Sequence, residues 1–411
     1  RVVRSGDLVV FSHGSEPPVV VSALAGRRHE LRDVTVFVIV PRRTLPWYEP
    51  GWEDSFKVQV GIIGPAVRKM YEEKRCDLIV PSIHFSHWID PDVLVVDVSP
   101  PNQHGFCSFG AWLWNRRREV KSARVVIAVV NKNLIRTFGE NYVHVSEIDY
   151  FIEHESAGKP TGVLDLWGRE VAEVPEEIRR IAHNLHALIR DGDTVQIGVG
   201  SATEALAEGE TFEGKNDLGW HSETTPRGIV GLVKKEVFTG HCKTLDRGRA
   251  VATMYGGLPK EELDFVHDNP LFELRPAEYV INVGTISSQD RMTAINNAIA
   301  VDLSGQTTAE SIGPVVKSAA GGQTAFAIGA TMAKEGRSIT VLRSTAKGGA
   351  VSNILPIFPA GTLVTLPRNV TDIVVTEWGV AHLRGKTQRQ RVEELIAIAH
   401  PDFRDELRRE A

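Results

Sequence analysis

The amino-acid sequence predicts an α/β protein built from two related open sheets, and three observations carry that expectation. Short runs rich in Val and Ile recur at Val34–Val40, Asp77–Val80, Val93–Val98, Val125–Val130, Thr194–Ile197, Tyr279–Val283, Ser338–Leu342 and Asp372–Thr376. These runs are apolar on both faces and are spaced by helix-length segments, the pattern of buried parallel strands. Among the segments between them, Pro175–Ile189 sets Ile178, Ile181, Ala182, Leu185, Leu188 and Ile189 on one stripe, with Pro175, Glu176 and Glu177 in the first turn. It reads as an amphipathic helix with a sound start. The third observation is an echo: Ser5–Gly14 resembles Asp191–Gly200 about 186 residues later, and Ala23-Leu24 and Ala205-Leu206 follow in turn. In each copy a Gly-Asp turn launches a strand that ends in glycine and runs into a helix. Coincidence of two common turns is the competing explanation. Duplication implies two domains, 1–185 and 186–411, with the boundary near the Pro175 helix.

Composition narrows the function. The 411 residues are 42% hydrophobic and 24% charged, which suits a globular chain of two domains and excludes disorder, collagen and coiled coil. With 47 Lys and Arg against 52 Asp and Glu the formal charge is −5, and no basic block stands out, so nucleic acid is not expected as a partner. The longest strongly apolar stretch, Val34–Val40, is far short of the roughly 20 residues of a membrane helix. No hydrophobic leader opens the chain, so a cytoplasmic location without membrane contact is expected. The first residue is Arg1 rather than Met, which leaves room for residues ahead of it. Cys76, Cys107 and Cys242 make an odd count without C-x-x-C spacing, so reduced thiols are expected. The 14 His are scattered without ligand spacing, and no metal is expected.

Several glycine turns can hold ligand. Gly198-Val199-Gly200-Ser201-Ala202 falls where a strand should meet a helix N-terminus, where backbone N–H groups suit an anion or an acyl oxygen. Thr203 stands where a dinucleotide fingerprint needs its third glycine, so NAD is disfavoured, and tight packing explains the turn equally well. Ala320-Gly321-Gly322-Gln323 and Lys347-Gly348-Gly349 are further turns, neither of them a Walker A loop. Lys347 reads either as a phosphate contact or as a solvated surface residue. The polar stretch His221–Gly228 contains Glu223, which is a solvated loop residue unless a dry site with oxyanion donors makes it a nucleophile. Cys107 reads as a packed thiol, and Trp47, Trp52, Trp88, Trp112 and Trp114 read as core.

Six blocks then point to a family. Ser99–Ser108, His221–Glu223, Ala294–Gln306, Ser344–Gly349, Val375–Lys386 and Ala399–Arg404 resemble, in order and across most of the chain, the acetyl-CoA hydrolase/transferase family and its 4-hydroxybutyrate and butyryl CoA-transferase subgroup. The resemblance implies two related α/β domains of the NagB/RpiA-like CoA-transferase type, the first on the acid-substrate side and the second carrying the catalytic glutamate and CoA. Glu223 matches the catalytic glutamate. Gly198, Val199, Gly200, Ser201, Ala202, Asn296, Ala320, Gly321, Gly322 and Lys347 match positions that contact CoA or form the oxyanion pocket. Gly14, Glu16, Gln103, His104, Gly105, Phe106, His221 and Arg227 fall on the substrate side. CoA is implied as substrate, no cofactor is implied as tightly bound, and the family's habit is a homodimer or dimer of dimers.

The implied chemistry is transfer of CoA between an acyl-CoA and a carboxylic acid through an acyl-glutamyl anhydride and a glutamyl-CoA thioester. Hydrolysis by the same glutamate is the alternative, and acyl-CoA binding without catalysis is the second. Two departures lie near the chemistry. Thr224-Thr225-Pro226-Arg227-Gly228 follows the glutamate where the family has Met and an Asp-Gly pair, and its arginine suggests an acidic or larger acid. Ala319-Ala320-Gly321-Gly322-Gln323-Thr324-Ala325-Phe326 has alanine where the family has a glycine and an aspartate, so a position needing positive φ would have to change.

Overall fold

The protein is described here from a computed structural model, which covers residues 2–12, 16–82, 89–153, 174–203, 205–208, 210–319 and 321–411. Gly14, Trp88 and Ala320 lie outside the described residues. By its internal contacts the chain forms two compact units, Arg1–Glu170 with Thr253–Glu278, and Val171–Ala252 with Tyr279–Ala411. This division is not the pair of contiguous stretches 1–185 and 186–411. The Glu176–His186 helix groups with the second unit, where Asn184 donates to the Thr376 carbonyl at 2.9 Å. Thr253–Glu278 is stitched into the first unit: Tyr255 N–H donates to Ala111 O, Trp112 bridges Met254, and Glu273 pairs with Phe138.

The first unit is built on β1 (Leu8–Phe11), β2 (Val34–Val38), β3 (Phe56–Val60), β4 (Cys76–Leu78), β5 (Val93–Val98), β6 (Val125–Val130) and β7 (Tyr150–Glu153). Their order across the sheet is β7-β6-β5-β1-β2-β3-β4, and every pairing is parallel. Both faces are covered, which is why these strands read as continuous apolar runs: Val9, Val10, Phe11, Val36, Phe37, Val95 and Val96 are all buried. Trp47 is fully buried against Phe11 and Phe56, with centroids 6.1 and 5.2 Å away. Trp112 and Trp114 are likewise buried, as their core reading expects, whereas Trp52 is half-buried beneath Arg28.

The second unit repeats the plan with β8 (Thr194–Ile197), β9 (Gly219–Ser222), β10 (Ala250–Ala252), β11 (Met292–Asn297), β12 (Arg337–Val341), β13 (Ile373–Thr376) and β14 (Gly379–His382). The order is β14-β13-β12-β11-β8-β9-β10, parallel except for β14. In both units the first strand lies inside the sheet, with the next strand on one side and a later one on the other. Such a reversal opens a crevice at the carboxyl ends of the strands. β1 begins at Leu8 and β8 at Thr194, the same offset as the sequence echo.

Two expectations fail locally. Tyr279–Val283 is not a strand: Ala277–Val280 and Val283–Ser287 are helical, and Asn282 caps the second by accepting from Gly284 and Thr285 N–H groups. The apolar run is real, since Val280 and Ile281 are fully buried, but a capping asparagine splits it. The β8 glycine turn also does not run into an α-helix. Among the described residues it is followed by the 3₁₀ turns Leu206–Glu208 and Glu210–Phe212. Thr203 Oγ1 donates to the carbonyls of Gly198 and Gly200, and Ala202 N–H goes to Asn297 Oδ1, so side chains take the groups a helix would use. The N-terminal copy does enter a helix, Pro18–Ala25, with proline in its first turn.

Candidate active site

Glu223 follows the carboxyl end of β9. All four β9 residues are buried, and the chain turns sharply afterwards because Trp220 Nε1–H donates to Thr225 Oγ1 at 3.2 Å while Thr224 and Thr225 are themselves buried. This pins the partly buried Glu223 carboxylate against the Gly322 N–H, 2.9 Å from Oε2. Gly322 immediately precedes the Gln323–Met332 helix, so the carboxylate lies at a helix N-terminus, where the partial positive charge of the unpaired N–H groups favours an anion. A Cβ on Gly322 would run into Glu223 Oε2, and one on Gly321 would lie 3.8 Å from Oε1. Burial wins over the N–H contact: the carboxyl is pushed up to about 7 by desolvation, with the Gly322 hydrogen bond pulling the other way.

The neighbours of Glu223 are held by packing. His221 is fully buried between the rings of Tyr279 and Phe326, and its Nε2–H donates to Val280 O at 2.9 Å. Burial, with the Lys243 charge behind it, lowers its pKa to about 4, so the ring is neutral at pH 7. His221 therefore props β9 from the inside and does not line an open pocket. Gln323, the first residue of the helix, carries a buried Nε2 with no hydrogen-bond partner among the described residues.

At the sheet reversal, Gln196 on β8 and Asn296 on β11 exchange two hydrogen bonds, Gln196 Nε2 to Asn296 Oδ1 at 2.9 Å and Asn296 Nδ2 to Gln196 Oε1 at 3.0 Å. Both amides are buried. The glycines of the turn are demanded by this arrangement, since a Cβ on Gly198 would meet Asn296 Oδ1 and one on Gly200 would meet the Asn297 side chain. Val199 lies between them on the same turn, Ser201 is exposed and Ala202 is buried. Close packing and an N–H-rich turn therefore coexist, and Asn296 acts first on Gln196.

The other expected residues fall elsewhere. Arg227 is paired with Glu208, its NH2 group 2.6 Å from Oε2, so its charge already has a carboxylate. Lys347 is exposed in the turn between Thr345–Ala346 and Val351–Ser352, at φ +51°. Ala319 is not among the described residues with positive φ, so the alanine that replaces glycine there is accommodated without strain. In the first unit Glu16 is buried, accepts from the Arg42 N–H at 3.3 Å, and is pushed up to about 7 by desolvation against the pull of that N–H and of Arg43 and Arg42. Gln103 and His104 are exposed and bonded to one another, and Gly105 holds φ +80° with His144 against it. Phe106 is exposed and makes edge contacts with Tyr142 and His144. Cys107 is fully buried, and burial pushes its thiol up, which suits a packed role.

Sequence reasoning did not single out Gln196, Asn297 or Gln323: Gln196 reads as the polar position of a strand, while Asn297 and Gln323 fall within stretches that resemble the family without being assigned a role. The pairing of Gln196 with Asn296, the Ala202 N–H on Asn297 and the orphaned Gln323 amide single them out in three dimensions. Among the described residues, no cluster of three or more His, Cys, Asp or Glu is placed to hold a metal, and no helix is long and apolar enough to cross a membrane.

Fold and site together define an α/β protein of open parallel sheets whose candidate chemistry gathers where strands end and glycine turns begin. The chain belongs to the acetyl-CoA hydrolase/transferase family: residues 1–164 match the model of its N-terminal domain and residues 259–411 that of its C-terminal domain. It is 38% identical to the 4-hydroxybutyrate coenzyme A transferase of Clostridium kluyveri over 99% of this chain and 94% of that protein. It is 34% identical to the succinyl-CoA:cyclohexane-1-carboxylate CoA transferase of Geobacter metallireducens over 99% and 92%. Among solved structures, RipA from Yersinia pestis superposes with a TM-score of 0.89 at 31% identity, covering 100% of this chain and 94% of the other. The 4-hydroxybutyrate CoA-transferase of Porphyromonas gingivalis does so with a TM-score of 0.79 at 34% identity and the same coverage.

Proposed function

We propose that this chain is a CoA-transferase that moves CoA from an acyl-CoA to a second carboxylic acid, with Glu223 as the covalent carrier. The observation that carries the reading is a glutamate whose carboxyl group is lifted to about 7 by burial yet met at 2.9 Å by a backbone N–H at a helix N-terminus. Relatives named as CoA-transferases support the reaction class.

In this reading the ionised Glu223 attacks the thioester carbonyl, and the acyl–sulfur bond breaks to give an acyl-glutamyl anhydride and CoA thiolate. The thiolate attacks the glutamyl carbonyl, releasing the first acid as its carboxylate and leaving glutamyl-CoA. The acceptor carboxylate then attacks that thioester, regenerating an anhydride and thiolate, and thiolate attack on the new acyl carbonyl gives the product and restores Glu223. A carboxylate with a raised pKa is a stronger nucleophile than a solvated one, and thioester and anhydride exchange needs no ATP when water is kept out. The N–H groups of Gly322 and of Val199, Gly200 and Ser201 in the turn after β8, together with the Gln323 amide, are the donors suited to the oxyanions, since Gly198 and Ala202 N–H are taken by Ile295 O and Asn297 Oδ1; loss of one such donor typically costs about 100-fold or more in rate. Asn296 keeps the turn in register through Gln196, Gly321 leaves space beside Glu223, and Lys347 is suited to a CoA phosphate. Glu16, Gln103, His104, Gly105 and Phe106 form the acid side in this reading, and no step depends on Arg227.

Initial-rate kinetics with 4-hydroxybutyryl-CoA as donor and acetate as acceptor test the proposal. Parallel double-reciprocal lines and loss of exchange in Glu223→Ala are expected. Intersecting lines, or free thiol released at the same rate without an acceptor, would contradict it.

A further inference from the structure

The first unit contains a cavity of about 370 Å³ lined by Asn102, Phe106, Cys107, Ser108, Arg136, Thr137, Phe138, Asn141, Tyr142 and Asp268. A volume of that order suits a small ligand. The antiparallel pair Phe106–Ser108 and Tyr142–His144 forms one wall. Cys107, Ser108 and Asn141 are buried, whereas Phe106, Phe138 and Tyr142 are 37%, 44% and 44% exposed, so the aromatic rings that belong to this cavity stand in contact with solvent. Three exposed aromatics around one cavity are an unusual expense for a soluble surface and mark a place where apolar area is covered by something else.

The charges make the cavity selective. Arg136 donates through NH2 to Pro100 O at 2.6 Å and through NH1 to Phe106 O at 3.3 Å. Its backbone N–H is held by His267 Nδ1 at 2.9 Å. Two carbonyls orient the guanidinium without neutralising it, since a guanidinium has five N–H donors and a carbonyl brings no charge. Among the described residues Arg136 has no ion-pair partner. Asp268 lines the same cavity with its carboxylate exposed and 3.6 Å from His267 Nε2, so it adds no second cation for a ligand and opposes further negative charge only weakly.

We infer that this cavity binds a monocarboxylate with a flat apolar body, the carboxylate on the Arg136 guanidinium and the body against Phe106, Phe138 and Tyr142. A fixed, planar guanidinium favours a bidentate carboxylate, and the ring edges and faces supply the rest of the contact. Phe106 is also one of the residues read above as the acid side, so the inference rests on that reading and names the acid it takes, with Arg136, Phe138, Tyr142 and Asp268 added to it.

The test is a ¹⁹F NMR titration of the full chain with 4-fluorobenzoate. Saturable binding is expected, weakened by about tenfold or more in Arg136→Gln, where the charge-assisted pair is lost. Phe138→Ala removes only an exposed ring and weakens binding by about threefold or more. Glu223→Gln leaves the affinity unchanged. Absence of saturable binding up to about 10 mM, an unaltered affinity in either Arg136→Gln or Phe138→Ala, or loss of binding in Glu223→Gln would overturn the assignment.

Discussion

Replacing Glu223 by Gln should stabilise the protein while abolishing transfer, and the gain should grow with pH in a defined window. The carboxyl group is raised from 4.5 to about 7 in the folded chain because burial disfavours its charge. Between those two values the folded state holds a proton that the unfolded state has released, so wild-type stability falls as pH rises from about 4.5 to about 7 and then levels off. Each tenfold change in the protonation equilibrium is worth about 1.4 kcal/mol, which for a wholly enclosed group would come to about 3 kcal/mol. The side chain keeps part of its surface open, and solvent screening trims this to about 1–2 kcal/mol. Gln keeps an oxygen for the Gly322 N–H and has no charge to bury, so the variant escapes the penalty. Urea denaturation of both proteins at pH 4.5 and pH 8, followed by circular dichroism, measures the difference. Near-equal midpoints at the lower pH and a more stable variant at the higher pH are expected. A difference that is constant with pH, or a variant less stable at pH 8, would refute the reasoning.

Other outcomes follow from the same geometry. Gly322→Ala drives a Cβ into Glu223 Oε2 and to 3.0 Å from the buried Ile281 side chain, so it should lower kcat about 100-fold or more and lower the melting temperature as well, as read by steady-state assay and calorimetry on one preparation. Gln196→Ala leaves the buried Asn296 amide without its partner and should cost about 1–3 kcal/mol in urea unfolding. The acid limb of kcat/KM should titrate near 7, since the nucleophile must be ionised, with no second inflection from His221, which stays neutral down to about 4.

Much of the fold was legible because buried parallel strands are apolar on both faces. Val93–Val98 and Val125–Val130 appear in the structure with the bounds read from the sequence, and the Gly-Asp echo marks equivalent inner strands of the two sheets. β11 was not legible, because its last residues are Asn296 and Asn297, polar groups that belong inside only when Gln196 and the Ala202 N–H meet them. Tyr279–Val283 misled for the opposite reason: its residues are buried, but a cap at Asn282 is a local signal weaker to the eye than an apolar run. The return of Thr253–Glu278 to the first unit rests on backbone bridges such as Tyr255 to Ala111, which leave no trace in composition. At the site, position 223 was singled out by family blocks, not by spacing, because nothing local distinguishes a carboxylate at a helix N-terminus from a solvated one until residue 322 is brought beside it. Arg227 shows the converse, a charge that looked available and is matched by Glu208 nineteen residues earlier.

The most direct test of the account is chemical trapping of the carrier. The protein is incubated with an acyl-CoA and no acceptor, reduced with borohydride, digested and mapped by mass spectrometry. The account predicts a single modified peptide, with Glu223 converted to the alcohol expected of a reduced glutamyl thioester, and none in protein incubated with CoA alone. An unmodified Glu223 in a sample that is turning over, or modification at another carboxylate, would contradict it.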